Sequence, residues 1–504
     1  MSNDVDKYDV IIIGAGIAGL VCGNYLAKAG LKTLLLEQHY AAGGCCSSFN
    51  RGGFVFDSGA HSLGSCRPGG QFDRVLRDLD LFGKIDVRRS EPSDTVITRN
   101  LQIDFAGNAE EMANGLAQHF PKERRAVADF FKELDSFDIN LTRSFIAYYS
   151  KYKSSTFREM LDSHFYDERL KIVLCAFLGN LGLASTRIAA LPAIAMFKEF
   201  VLDGGYYVLG GMQVFVNSLA ENFQRLGGEL CLRTEVTKII THHLQTRGVE
   251  TRNASLIESR FIISTTGIKQ TFFRLIEADI LPSRVVVKLR SLVPSVSSMI
   301  VYLGIKGSPV NSAGFGRTVW YMPNGNPDEV YERVFAGGLD EGAELLLMAF
   351  PSHYDETLAP KNCESVYLFT VAPFKDGEFW KKHKAALCDQ MVSRASDLIR
   401  DLRKRIVVCE VATPMTLYRY TLNDEGAVYG LASTLDQFKP RVMPQETVIG
   451  GLYLASHWTT VGAGQGGTPM AAFAGRNAAR LVLERLNKRA RGTSAVVSLY
   501  PKTH

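Results

Sequence analysis

Three glycines, Gly14, Gly16 and Gly19, stand at the spacing that lets a backbone approach a pyrophosphate. The first allows a tight turn, the second brings the main chain close to phosphate oxygens, and the third lets a helix pack tightly on the preceding strand. That helix, with Ala18 in its first turn, directs free N–H groups and a positive dipole end at the anion. Glu37 ends the next apolar run, where a carboxylate accepts hydrogen bonds from a ribose. A second glycine pair, Gly43-Gly44, meets the need for a turn alongside a bound nucleotide, and Cys45-Cys46 follows it directly. Vicinal cysteines make a strained disulfide and the C-x-x-C spacing is missing, so close packing against a ligand is the reading preferred over a redox dithiol. Phe54 to Gly59 reads as a strand ending in small residues, with Ala60 and His61 next, suited to close approach to a flat ring. His61 has two readings, a group that approaches that ring and a packed, hydrogen-bonded histidine. His242-His243 lies in an expected turn without further ligand spacing, so no metal site is expected. No Ser-His-Asp set or paired carboxylate presents itself.

These residues need elements to hold them. Tyr8 to Ile13 is β-branched and apolar on both faces, which predicts a covered parallel strand. A helical pattern follows to about Ala29, Gly30 stops it, and Lys32 to Leu36 reads as a second strand. Residues 107–205 read as mostly helical and rich in aromatics. Residues 209–265 return to an α/β texture, with a helix over Val214 to Leu226 and strands around 230–240 and 261–264. Runs at 296–305, 344–350 and 366–371 predict an antiparallel sheet. Gly451 to Ala455 reads as a short buried strand before a glycine-rich turn and a helix from Pro469 to Leu486. Ile172 to Phe197 holds a single charge, Arg187, and reads as a pair of buried helices, a tunnel wall or a lipid-facing surface.

Composition narrows the class further. At 504 residues and 46% hydrophobic, the chain has ample material for a large core and is too apolar for disorder. A net charge of +5 is too weak to argue for a nucleic-acid partner. Nine cysteines without repeating spacing speak for a reducing compartment, and the first ten residues lack a signal-peptide profile, so a cytoplasmic location is expected. No stretch of about 20 uninterrupted apolar residues predicts a membrane span.

The run Gly43-Gly44-Cys45-Cys46-Ser47-Ser48-Phe49, with Phe56-Asp57-Ser58-Gly59-Ala60-His61, resembles the carotenoid desaturase, carotenoid isomerase and retinol saturase family, and the double cysteine with His61 leans towards the saturase branch. Gly210-Gly211-Met212, Gly227-Gly228-Glu229 and Thr234-Glu235-Val236 resemble the family segment whose backbone near Val236 contacts adenine. Pro351 to Asp355 with Leu358-Ala359-Pro360 resembles its substrate-domain turn, and Ala412-Thr413-Pro414 with Gly426 to Gly430 its late signature. Gly451 to Leu454, leading to Gly462-Ala463-Gly464, resembles its terminal flavin motif, which continues through Gln465 and Gly466. Two departures stand out. Ser456-His457 occupies the place of a Gly-Asp whose Asp holds the flavin ribityl chain, and no Arg follows Gly43-Gly44 as it does in amine-oxidase relatives.

The resemblance implies an α/β fold: a Rossmann-like FAD-binding domain of the two-dinucleotide-binding-domain type, with an inserted α+β substrate domain containing an antiparallel sheet and a helical subdomain. The cofactor domain is expected from 1–106, 206–290 and 411–487, the helical substrate and membrane-contact region from 107–205, the substrate sheet from 291–410, and a flexible basic tail from 488–504. FAD is the implied cofactor, held by Gly14, Gly16, Ala18, Gly19, Glu37, Gly43, Gly44, Cys45, Gly59, Ala60, Val236, His457, Gly464, Gln465 and Gly466. The implied activity is oxidoreduction at carbon–carbon bonds of a long lipophilic polyene, by saturation, desaturation or isomerisation, with His61 the one side chain offered for catalysis. An amine or porphyrinogen oxidase on the same fold is the alternative. The partners expected are a lipophilic small molecule, a peripheral membrane contact and an electron donor or acceptor that the sequence leaves open.

Overall fold

β1 (Lys7–Ile13) is buried from Val10 to Ile13, and a strand with no wettable face belongs inside a covered sheet. The structure, a computed structural model, describes residues 7–253, 256–308, 315–439, 442–459 and 467–491. Along the chain follow β2 (Thr33–Leu36), β3 (Ser48–Arg51), β4 (Phe54–Asp57), β5 (Val87–Arg89), β6 (Asp94–Thr98) and β7 (Gln102–Phe105). Beyond a helical stretch come β8 (Tyr206–Val208), β9 (Glu229–Cys231), β10 (Val236–His242), β11 (Gln245–Thr251) and β12 (Leu256–Ser264). The remainder are β13 (Ser297–Lys306), β14 (Thr318–Met322), β15 (Leu346–Ala349), β16 (Cys363–Ala372), β17 (Ile406–Ala412) and β18 (Leu452–Leu454).

The first sheet has the order β10-β11-β12-β1-β2-β9, with β18 also against β12. β1 pairs in parallel with β2 (Ile13 beside Leu36) and with β12 (Ile13 beside Ser264), so strands far apart in sequence end at the same edge. The helix Ile17–Lys28 lies on this sheet between Met212–Arg225 and Gly467–Arg491. The approach is close: a Cβ on Gly475 would fall 2.2 Å from the Ala18 carbonyl oxygen.

The second sheet runs β17-β13-β16-β15-β14-β6-β7. Its pairs are antiparallel except β6 with β14, which is parallel. Here strand pairing departs from the expected layout. β6 and β7 lie within 1–106, the first piece expected of the cofactor domain, yet they complete this second sheet. The tie is a long-range one: Trp320 on β14 donates through its indole N–H to buried Asp94 on β6 at 2.8 Å, a pairing no local pattern announces.

Between β7 and β8 the chain is helical, and its core joins Phe130, Phe177 and Phe197 to Trp320 and Tyr331 of the second lobe. The stretch Ile172 to Phe197 is largely interior, and Gly179 to Gly182, Pro192, Ala195 and Met196 wall a cavity. Among the described residues no helix is long and apolar enough to cross a membrane. The helix Gly467–Arg491 runs four residues past Asn487, the end expected of the last cofactor segment. The rest of the expected tail, 492–504, lies outside the described residues.

Candidate functional site: a dinucleotide cradle opening on an apolar chamber

The chain leaves β1 through Gly14, whose φ of +99° suits only glycine; its N–H donates to the Leu36 carbonyl at 2.8 Å. A Cβ on Gly19 would sit 2.0 Å from the Gly14 carbonyl oxygen, so helix and strand meet at the distance of bare backbone. A Cβ on Gly16 would meet no protein atom within 4 Å, and Gly16 lines the cavity. Gly16 caps the helix Ile17–Lys28, which has no side-chain cap and no acid in its first turn, leaving its N–H groups for a phosphate.

Glu37 leaves the end of β2 and is 8% exposed. One carboxylate oxygen accepts from Ala15 N at 2.8 Å and the other from His39 N at 2.9 Å. Each oxygen keeps a second lone pair for a ligand hydroxyl. The Glu37 carbonyl accepts from Thr234 N at 2.7 Å, which brings Thr234, Glu235 and Val236 to the same cavity wall.

Gly43 and Gly44, at φ +127° and +57°, turn the chain back onto the first glycine loop: Gly43 N donates to Ala15 O at 2.9 Å. Cys45 then opens onto the cavity, while Cys46 is buried with its sulfur 3.6 Å from Thr468 Oγ1. Both are free thiols, and burial pushes Cys45 upward and Cys46 to about 12, so neither is a thiolate at neutral pH. Their use is geometric. The Cys45 carbonyl accepts from Ala60 N at 2.9 Å and would lie 3.2 Å from a Cβ on Gly59.

Past β4 the chain meets a buried polar cluster that pattern reading missed. The Asp57 carboxylate accepts from Ser48 Oγ (2.7 Å), Tyr207 Oη (2.8 Å) and Met212 N (2.9 Å), and Asp57 N donates to Tyr367 Oη at 2.8 Å. Burial nonetheless raises the Asp57 carboxyl above its ordinary range. Four residues on, the His61 ring stacks on Phe369 at 4.8 Å and its Nδ1 lies 3.2 Å from the Gly59 carbonyl. Arg317, 1% exposed, donates from Nη1 to the His61 carbonyl at 2.7 Å. Burial, then this guanidinium, hold the imidazole down at about 4. The signal for Arg317 was a lone cation immediately before an apolar strand.

At the far end of the chain, His457 follows β18 and lines the same cavity. Its ring is wedged against Gly430, where a Cβ would fall 2.4 Å from His457 Cδ2. Burial holds it at about 4, and its Nε2 has no hydrogen-bond partner among the described residues. Gly464, Gln465 and Gly466 lie outside the described residues. His242-His243 sits at the tip of the β10–β11 hairpin, His243 at φ +49°, away from the cavity.

The cavity measures about 680 Å³. It runs from the glycine loop past Cys45, Gly59 and His61 into a chamber walled by Leu181, Pro192, Met196, Ile300, Leu347 and Val371. One end thus offers backbone N–H groups and a carboxylate, and the other offers apolar surface. The first half fits the nucleotide portion of FAD on three counts: the uncapped helix terminus, the open Gly16 and the pinned Glu37.

Comparisons with known proteins agree with this geometry. A model of the flavin-containing amine oxidoreductase family matches residues 17–483. All-trans-retinol 13,14-reductase of Danio rerio is 24% identical over 502 residues, covering 89% of this chain and 82% of that protein. The chloroplastic prolycopene isomerase of Daucus carota is 25% identical over 481 residues, covering 89% and 76%. Among solved structures, an oxidoreductase from Methanosarcina mazei matches with a TM-score of 0.67 and 19% identity, over 95% of this chain and all of that one. A putrescine oxidase matches at 0.65 and 15% identity, with the same coverage; both are likenesses of fold.

Proposed function

The chain belongs to the flavin-containing amine oxidoreductase family, with FAD as its cofactor, and from that premise we propose that it saturates, desaturates or isomerises carbon–carbon double bonds of a long lipophilic polyene. The observation that carries this reading is the chamber itself. A polyene has no ionisable group, so recognition rests on apolar shape, and Leu181, Pro192, Met196, Ile300, Leu347 and Val371 supply it. The two relatives named for a retinol and a prolycopene support the same class.

FAD, when bound, supplies the hydride chemistry. The chain supplies position, dryness and a proton site. The Gly14–Gly19 loop and the helix behind it would hold the pyrophosphate, Glu37 the adenosine ribose and the backbone near Val236 the adenine, with Gly59 and Ala60, braced by Cys45, offered to the flavin ring. Gly43 and Gly44 hold the first loop in place. His457 would stand at the ribityl end in place of an Asp.

His61 is the proton site. A carbonyl only accepts, so the neutral ring donates Nδ1–H to Gly59 and keeps its lone pair at Nε2. Nε2 takes a proton as a C–H bond is lost and returns it when a double bond is saturated.

A peripheral membrane contact completes the reading, since such a substrate partitions into lipid. The helix Thr142–Tyr152 packs on Ala190–Met196, which walls the chamber, and shows solvent the side chains of Leu141 and Ile146 with Arg143 and Lys153 around them. Co-sedimentation with anionic liposomes is expected, weakened by Ile146→Glu; wild-type protein left wholly in the supernatant at low salt refutes the contact.

The test of function is anaerobic. FAD should co-purify; after photoreduction, a candidate polyene should reoxidise it or be isomerised. Oxidation of amines or porphyrinogens with peroxide release, and inertness towards polyenes, would overturn the reading.

A further inference from the structure

Two cysteines outside the cavity lining face each other across the second lobe. Cys388 lies on the helix Gly377–Ala395 and Cys409 on β17, the edge strand of the second sheet. Their sulfurs are 4.0 Å apart, both are free thiols, and Cys409 is exposed. We propose that Cys388 and Cys409 form a site of reversible oxidation, closing to an intrachain disulfide by exchange with a low-molecular-weight disulfide.

The surroundings favour closure between these two partners. The sulfurs need to approach by about 2 Å, within reach of side-chain rotation, since a disulfide spans about 2.05 Å. The neighbouring Asp389 is ion-paired to Arg403, in the turn of helix that leads into β17, so the helix and the strand entrance are already held side by side. The exposed partner is also the reactive one: hydrogen bonding from Cys388 brings the Cys409 thiol down to about 7, whereas Cys388 is pushed up. By contrast, burial raises the thiols of Cys22, Cys46, Cys66 and Cys175.

The electrons balance through two exchanges. The Cys409 thiolate attacks the small disulfide, forming a mixed disulfide and releasing one small thiol. The Cys388 thiolate then attacks Cys409 Sγ, forming the intrachain bond and releasing the second thiol. Two protein thiols are oxidised, one small disulfide is reduced to two thiols, and the two protein protons leave on them. The bond would pin the helix to the strand whose next three residues, Glu410, Val411 and Ala412, line the cavity.

Oxidised glutathione added to the FAD-loaded protein, followed by intact mass and peptide mapping, tests this. Wild type should lose two of its nine titratable thiols, fall in mass by two hydrogens and yield one peptide joining Cys388 to Cys409. Cys388→Ser should instead keep one glutathione adduct on Cys409. Hydrogen exchange across 406–412 should slow on oxidation and recover with dithiothreitol. A wild type that retains stable adducts, forms its bond elsewhere or keeps all nine thiols would overturn the proposal.

Discussion

Arg317 Nη1 donates to the backbone carbonyl of His61 at 2.7 Å, which places a fully buried cation directly behind the imidazole that faces the cavity. Its Nε has no hydrogen-bond partner among the described residues. Asp94 and Asp57 are its acidic neighbours, and burial raises both carboxyls. The guanidinium thus acts on His61 in two ways. It fixes the turn that carries the ring, and its charge opposes protonation. Arg317→Met should therefore raise the His61 pKa above about 4, while leaving it below 6.5 because burial is the larger cause. The imidazole C2–H resonance reports this directly. A value unmoved in the variant would show that burial acts alone.

The two cavity histidines also set a pH dependence of stability. His61 and His457 both sit at about 4 in the fold against 6.5 when unfolded. Between these values the unfolded chain binds more protons, so stability rises with pH. Their contribution is complete above about 6.5 and is lost as pH falls towards 4. Asp203 runs the other way: burial raises it to about 6, so the folded state gains stability as pH falls through that range. Thermal melts from pH 7 to 4 should show a falling Tm for wild type and a shallower fall for His61→Asn with His457→Asn. Parallel slopes in the two proteins would rule out this origin. Catalytically, loss of polyene turnover as pH drops towards 4 is expected in the desaturating direction, where neutral Nε2 must accept a proton.

Gly16 and Gly19 look alike in sequence but should fail differently. A Cβ at Gly19 collides with the Gly14 carbonyl at 2.0 Å, a clash relieved only by moving helix or strand. Gly19→Ala is expected to lower Tm by several degrees even without cofactor, consistent with an overpacking cost of about 1–3 kcal/mol. Gly16→Ala, with no protein atom within 4 Å of the new methyl, should keep the apoprotein Tm and lose FAD affinity. Melts with and without FAD separate the two. Equal apoprotein losses would contradict the open space seen at Gly16.

The contrast explains what the sequence made legible. Gly14 to Glu37 is a local unit, so its strand, turn, helix and strand are written in consecutive residues and appear where the spacing puts them. Gly43-Gly44 is similarly local, although its packing on Ala15 was not foreseen. β6 and β7 carry no such mark: Asp94 and Val96 find their sheet only when β14 arrives more than two hundred residues later. The Asp57–Tyr207–Tyr367 cluster is scattered in the same way, with each member a single unremarkable polar residue until three chain segments meet. Ile172 to Phe197 fell between these cases. Its apolar content announced burial, but only the fold shows that part of it walls the chamber and that a neighbouring helix meets solvent.

Glu37 is the sharpest single test of the cradle, because its carboxylate has two jobs that a carboxamide divides. Its oxygens accept from Ala15 N and His39 N, which ties the glycine loop to β2, and their remaining lone pairs would be free for a ribose hydroxyl. Glu37→Gln keeps the shape but has one acceptor oxygen, and its NH₂ must oppose a backbone N–H. One charge-assisted hydrogen bond is worth about 1.5–3 kcal/mol, so FAD affinity should fall about ten- to hundredfold. The flavin-to-protein ratio after gel filtration and a fluorescence titration with FAD measure this. Apoprotein Tm should drop as well, since the Ala15 anchor is intrinsic to the fold. A Glu37→Gln protein that retains a full complement of FAD would remove Glu37 from the binding site and leave it a structural clamp.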